Sequence, residues 1–587
     1  MLDTVIRGGA VVDGSGTPAI AADVGIRGGR ITEVGTITED ARRVVDADGR
    51  VVCPGFVDVH THYDAQLLWD PTASPSPLHG VTSVVAGNCG LSLAPVCPAD
   101  EDFLVRMLSR VEAIPLDCLQ LGVSFRWRTF AEFMDVVEAS GVAVNVGFLA
   151  GHSAIRRAVM GAGASSAPAS SGQLDAMRAQ LDDALRAGAL GFSSSTSTTQ
   201  RDGDGLPTPP NFAAPEELIA LAEVCSHHPG TSLEFIPSTA ARGFDTAELE
   251  LMARMSALGG RPLNWNTVLV NYPAIPDIHE RQLASADVGR SFGGCVVPMI
   301  VPHNFRVRTD FLDSDVGFRP IAALNDLFRL DVDGRVRAMA DPNVRARLVG
   351  AFAELPPGSA AMFRDALGDH LVSDTGAGAL RPLVGRGVSE IARERSTSIL
   401  DTMFDLAVEA RLDIGFVRHT FPTRDPERQA LRARVLRDPR LVLGASDGGA
   451  HLRGVVNVEY TTASFAELVR ADPVFTIEEL VHEFTEVPAR LYGMVDRGRL
   501  AAGAWADVVV FDPATIRSSE VSLVRDLPGG AGRLFSSGVG IDHVFVNGAE
   551  IVSWGRFTGT LPGRVLRGGR DTATIAPDWL LHRRRAA

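Results

Sequence analysis

Two histidines separated by one residue, His60 and His62, lie near the end of the segment PGFVDVHTHYD, positions 54 to 64. Successive side chains of an extended strand alternate faces, so both imidazoles emerge on one side. Two imidazoles on one face are placed to share a cation. A lone His-x-His pair is usually incidental; the Pro-Gly-Phe-Val-Asp prefix sets this one apart. In GVTSVVAGNCG a strand pattern ends in glycines around Asn88 and Cys89. A thiolate there is a strong ligand for zinc, while a buried inert cysteine is the equally ordinary reading. In LVLGASDGGAHL an apolar strand delivers Asp447 to its end, where a carboxylate can hold a metal and accept a proton from water. Asp-Gly is also a common turn pair; beside the histidine pair, the chemical reading is preferred.

Further candidates carry weaker signals. His152 and Arg156 follow a strand in AGHSAIRRAVMG. The arginine suits a substrate carboxylate, which it can grip through two parallel hydrogen bonds. Glu234 in LEFIP is a candidate ligand or an arginine partner. Asn264 and Asn266 in NWN are candidate substrate contacts. His451 after SDGG and His419 in FVRHTFP could serve in proton transfer or in hydrogen bonding to the reacting group.

These residues need elements to position them. Residues 1–54 alternate apolar and polar residues between glycine-rich turns, the pattern of a small antiparallel sheet. From residue 55 short apolar runs alternate with helical stretches. Strand candidates include VTSVVAG, VAVNVGFLA, GALGFSSS, RPLNWNTVLV, DIGFVRHT and LVLGASDGG; helix candidates include SGQLDAMRAQLDDALRAGA, PEELIALAEVC, ILDTMFDLAVEAR and RQALRARVLRDP. Such alternation predicts parallel strands with helical crossovers, best met by a (β/α)8 TIM-like barrel over 55–496. A doubly wound sheet would call for a GxGxxG turn after its first strand, and none is present. The stretch 272–395 fits the alternation poorly and reads as an insertion above the barrel mouth. After about 497 the β texture returns, and 497–587 is expected to pair with 1–54 in one discontinuous β-sandwich domain, because half-sheets with unpaired edges are unstable.

Composition bounds the function. At 587 residues the chain exceeds one compact core. A net charge of −15 disfavours nucleic acid as a partner. Six scattered cysteines do not form a disulfide scaffold. The opening MLDTVIRGGAVVDG lacks a signal-peptide pattern and no apolar run is long enough to span a membrane, so the expectation is a soluble cytoplasmic protein. All 56 basic residues are arginine. That excludes lysine Schiff-base chemistry and a carboxylated lysine as a metal bridge. The sequence leaves open a homo-oligomer.

Taken together, DTVIRGGAVVDGSG, PGFVDVHTHYD, HGVTSVVAGNCG, GHSAIRRAVMG, PEELIALAEV, SDGGAH and the closing DRGRLAAGAWADVVVFDP resemble the urease-related amidohydrolases, in particular their D-aminoacylase branch. The resemblance covers most of the chain. It implies a barrel joined to a β-sandwich built from both termini, and metal-assisted hydrolysis of an N-acyl amide. It implies metal ligation by His60, His62, Cys89 and Asp447. The chain also departs from that pattern. The branch carries histidines after the fifth and sixth strands, where GTSLEFIPS and RPLNWNTVLV have none. The expectation is therefore one zinc ion held mainly by His60, His62 and Asp447, with Cys89 or Glu234 as further ligands and room for a second ion. The substrate class is a small-molecule amide, foremost an N-acyl D-amino acid. A cyclic-amide hydrolase, a metal-assisted lyase or isomerase, and a degenerate binding protein of this fold stand as alternatives.

Overall fold

The computed structural model describes residues 1–272, 275–312, 321–354, 367–419, 425–576 and Trp579. Both ends of the chain meet in one nine-stranded sheet. Leu2–Val11 lies beside Val51–Pro54, which pairs antiparallel with Val508–Phe511, Val509 opposite Cys53. Ile541–Val546, Ala549–Ser553 and Arg556–Phe557 extend the sheet on the C-terminal side. The four residues of Val508–Phe511 are all buried, which explains an uninterrupted VVVF where an exposed strand would alternate.

The middle of the chain folds as strands followed by helices. Phe56–Asp58, Val81–Ala86 and Asn145–Phe148 form one parallel sheet. Ala150–Gly151, Gly191–Ser195, Ser232–Ile236, Pro262–Asn266, Cys295–Ile300 and Val442–Leu443 form a second, also parallel. A parallel bridge between Thr61 and Gly448 ties the chain after the first of these strands to the chain after the last. The crossover helices start where local chemistry directs. Ser171–Ala187 opens on a reciprocal cap between Ser170 and Gln173 and stops at Gly188 in a left-handed conformation. Pro215–Val224 starts on proline, whose fixed φ suits the first turn.

Two expectations are corrected. The stretch 272–395 does not lie wholly outside the alternation: it contributes the helix Ile278–Ser291 and the buried strand Cys295–Ile300, which takes the place between Pro262–Asn266 and Val442–Leu443. A six-residue apolar run among polar loops hides its partner strands from a sequence pattern. DIGFVRHT is not the neighbour of the last parallel strand. Ile414–His419 pairs antiparallel with Leu371–Thr375 and with Arg306–Thr309, and Arg306–Thr309 pairs with Val455–Val456. This four-stranded sheet packs with the helices Val332–Ala340, Pro342–Ala353, Val388–Arg395 and Ile399–Glu409 around a separate core that includes Phe311, Phe352, Met403, Phe404 and Phe416. Through Val455–Val456 it is fastened to the chain just past Asp447. Among the described residues no helix is long and apolar enough to cross a membrane.

Candidate metal centre

The C-terminal ends of the parallel strands bring together groups that are far apart in sequence. His60 and His62 follow Phe56–Asp58, Cys89 follows Val81–Ala86, Glu234 sits in Ser232–Ile236, Asn266 ends Pro262–Asn266 and Asp447 follows Val442–Leu443. The Asp447 Oδ1 lies 3.3 Å from His60 Nε2 and 3.7 Å from His62 Nε2. The Cys89 Sγ lies 3.5 Å from His60 Nε2 and 3.9 Å from His62 Nε2. Asp447 and Cys89 thus each approach the same two imidazole nitrogens, and the His60, His62 and Cys89 donors all lie within 4.8 Å of one another.

The backbone is shaped to permit this. Cys89, Asp447 and His451 adopt φ values of +59°, +52° and +49°, a region that costs energy for residues with a Cβ and that clusters at functional sites. The Asp447 loop rests directly on the histidine strand: His62 N–H donates to the Gly448 carbonyl, and a Cβ at Gly449 would stand 2.6 Å from the His62 carbonyl oxygen. Only glycine allows that approach.

The surroundings are strongly acidic. Asp58 accepts from His60 N–H, and burial pushes its carboxyl up to about 7. Asp64 accepts from Gly87 N–H and is pushed up by burial to about 6. Burial would lower the His62 imidazole, but the charge of Glu112 and the hydrogen bond and charge of Asp447 outweigh it and raise it to about 9. Burial likewise opposes ionisation of Asp447, yet hydrogen bonds from His60 and His62 hold it well below the usual carboxylate range. Glu234 and the Cys89 thiol are both driven well up, chiefly by burial. Five carboxyl groups and a thiol crowd two imidazoles, all buried except the part-exposed Asp447. A divalent cation fits this cluster. The donors are two nitrogens, a sulfur and an oxygen, and buried polar atoms around them, His60 Nδ1, Glu234 Oε1 and Asn266 Oδ1, lack hydrogen-bond partners.

The remaining candidates fall in different places. Glu234 faces the other nitrogen of His60, with Oε1 4.0 Å from Nδ1, and its Oε2 accepts the Cys89 N–H at 2.8 Å. Asn266 Nδ2 is 3.5 Å from His60 Nε2, so it reaches the centre. Asn264 does not: its amide donates to the Leu233 carbonyl and the Tyr492 hydroxyl, one layer deeper in the core. His451 borders the centre, 3.9 Å from Glu112. His152 and Arg156 both meet the carboxylate of Glu217. His152 bonds Ser194 Oγ through Nδ1 and Glu217 Oε1 through Nε2, both at 2.9 Å. Arg156 grips both Glu217 oxygens and donates to the carbonyls of Ala164, Ala167 and Phe212. Both side chains are buried and spend these polar groups on protein partners. His419 closes a strand of the antiparallel sheet, and its side chain lies outside the described residues.

Sequence reasoning missed Glu112, whose Oε2 is 3.7 Å from His62 Nε2. A signal existed. In Glu101–Glu112 the buried stripe runs through Val105, Leu108 and Val111, and Glu112 is a charged residue at a position on that stripe. It also missed a cavity of about 390 Å3 beside this helix end, lined by Arg106, Arg110, Ile114, Leu116, Arg335 and Arg453 among others.

A cluster of imidazole, thiol and carboxyl groups at the strand ends of an α/β fold has the composition of a metal-assisted hydrolytic centre. The chain belongs to the amidohydrolase family, whose model matches residues 43–552, and within it to the D-aminoacylase branch. It is 30% identical over 567 residues to the D-aminoacylase of Alcaligenes xylosoxydans xylosoxydans, covering 96% of this chain and 97% of that one. It is 29% identical over 590 residues to N-acyl-D-glutamate deacylase of the same organism, covering 98% of each. Among solved structures, N-acyl-D-glutamate deacylase from Bordetella bronchiseptica, complexed with zinc and a phosphonate inhibitor, superposes with a TM-score of 0.65 at 26% identity, covering 97% of this chain and all of that one. The protein is a metal-dependent hydrolase of carbon–nitrogen bonds other than peptide bonds.

Proposed function

We propose that the enzyme cleaves the amide of an N-acyl amino acid, with zinc held by His60, His62, Cys89 and Asp447 at the mouth of a closed eight-stranded parallel barrel. The observation that carries this reading is the convergence of Asp447 Oδ1 on the Nε2 atoms of both histidines. A cation bound there supplies Lewis acidity, acidifying water and polarising a carbonyl. The chain's own groups do the rest. Asp447, kept ionised by the two imidazoles, takes the proton of the attacking water and returns it to the leaving nitrogen. Glu234 orients the centre from behind, opposite His60 Nδ1 and under the Cys89 amide, the usual place of a carboxylate that steadies a metal-binding histidine. Asn266 Nδ2 is placed to donate to the substrate carbonyl oxygen as it gains negative charge. We place a substrate's own carboxylate in the cavity past the end of Glu101–Glu112, beside Arg453, which faces Asp310 at 3.5 Å; Arg106 and Arg335 there already hold protein partners. This favours acylated amino acids over neutral amides, and the resemblance to two D-specific enzymes favours the D configuration.

Elemental analysis of the purified protein, with an amine-release screen over N-acyl-D-amino acids, N-acyl-L-amino acids and cyclic amides, tests the reading. The expected result is bound zinc and turnover of N-acyl-D-amino acids, with His60→Ala losing metal and activity together. Protein that stays metal-free after zinc is supplied, or an H60A variant with both properties intact, sinks it.

A further inference from the structure

We propose that Glu112 is itself a ligand of the cation, closing the donor set on the His62 side from a helix rather than from a strand end. The inference rests on the metal-dependent reading above and adds a residue to it.

Three observations support this. First, Glu112 approaches the working nitrogen. Its Oε2 is 3.7 Å from His62 Nε2, the same atom that stands 3.7 Å from Asp447 Oδ1 and 3.9 Å from Cys89 Sγ. A carboxylate that merely orients a histidine takes the ring nitrogen turned away from the metal, the side on which Glu234 faces His60 at 4.0 Å. Second, the separations are those of co-ligands. Charge-assisted hydrogen bonds close to about 2.7–2.9 Å, whereas donors sharing a five-coordinate cation at bonds of about 2.1 Å stand about 3.0–3.6 Å apart. Asp447, Cys89 and Glu112 all face one imidazole nitrogen, and each stands 3.7–3.9 Å from it, beyond the length of a charge-assisted hydrogen bond. The same Glu112 oxygen is 3.9 Å from His451 Nε2, so the gap is bounded on a second side by another nitrogen donor.

Third, the carboxylate is held where the protein alone disfavours it. Glu112 is buried and is the last residue of Glu101–Glu112, and the C-terminal end of a helix carries partial negative charge. Among the described residues its ion-pair partners are His62 and His451, with no arginine. The backbone is committed to keeping it in place: Ala113 turns left-handed at φ +50°, and the Glu112 carbonyl accepts the His451 N–H, locking the helix end to the Asp447 loop. A buried carboxyl group fixed by both neighbours at a helix C-terminus, with two imidazole nitrogens beside it, marks a place for a cation.

The test uses the full-length protein stripped of metal and titrated with zinc and with cobalt(II), against a chromophoric chelator. Glu112→Gln keeps size and shape; Glu112→Asp keeps the charge but withdraws it by one methylene. Circular dichroism reports folding for both. The expected result is a 10- to 1,000-fold weaker zinc affinity for E112Q and an altered cobalt(II) visible spectrum, with E112D intermediate in affinity. Unchanged affinity overturns the proposal, and so does a weaker affinity with the wild-type cobalt spectrum, which would leave Glu112 outside the coordination sphere. Should E112Q fail to fold, E112D decides on the same two readouts. Wild-type protein that takes up no metal would instead end the metal-dependent reading itself, so the two failures are distinct.

Discussion

Replacing Arg156 by methionine separates a structural arginine from one that binds substrate. Its guanidinium grips both Glu217 oxygens at 2.8 and 3.0 Å and donates to three backbone carbonyls. Methionine fills much of the volume and supplies none of these donors. Glu217, itself buried, keeps His152 Nε2 at 2.9 Å as a partner but loses its full positive charge. Breaking a buried ion pair from one side costs about 3–5 kcal/mol, because the stranded charge remains in the interior. The surviving His152 contact moves the figure toward the lower end, and three deprived carbonyls, at about 1 kcal/mol each, move it back. The expected loss is therefore about 4 kcal/mol, read as a lowered urea midpoint by tryptophan fluorescence. KM for N-acyl amino acids, measured well below the melting range, should stay within threefold of wild type. The double variant R156M/E217L should recover much of the stability, since removing both charges removes the stranded one. An unchanged midpoint together with a tenfold or greater rise in KM would refute the reasoning and return Arg156 to the substrate.

Three further outcomes are expected. Asp447→Asn, which keeps the shape but cannot accept the proton, should lower kcat by about 10²–10⁴ with a much smaller change in KM; an activity within threefold of wild type places the base elsewhere. Arg453→Gln, in the arginine-lined cavity two residues past His451, should raise KM for acylated amino acids by about 10- to 100-fold, the worth of one charge-assisted contact; the matching N-acyl amides, lacking the carboxylate, should be unaffected. Burial lowers the His79 imidazole to about 4, where its Nε2–H donates to the Ser536 carbonyl. With an unfolded value near 6.5, its contribution of about 3 kcal/mol is complete above pH 6.5 and lost as pH falls toward 4. His79→Gln should flatten the pH dependence of stability over that window, and an unaltered slope would show that His79 does not set it.

How much of this was legible in the sequence follows from which interactions are local. The His-x-His spacing was legible, but the strand stops at Asp58 before either histidine, so the irregular backbone beyond it, and not a strand period, aims the two rings. Helix limits at Ser171–Ala187 and Pro215–Val224 follow from capping and proline rules acting over a single turn. The apolar strands that end near Cys89 and Asp447 are equally readable as strands. By contrast, Cys295–Ile300 and Ile414–His419 are both short apolar strands, yet one joins the parallel sheet and the other an antiparallel sheet. Pattern gives the strand and not its partner, since pairing depends on chain returning from far away.

The sequence by itself determined the donor types, the close spacing of the two histidines and the absence of any lysine to bridge two metals. Only the tertiary structure decided which donors meet. It turned Arg156 and His152 inward onto Glu217, set Asn264 beneath the site and Asn266 at it, and brought Glu112 from the end of a helix to His62. The physical reason is that charge, burial and proximity are properties of the assembled interior: a carboxylate's role depends on the cations and dipoles within a few ångströms of it, and sequence separation carries no information about that distance.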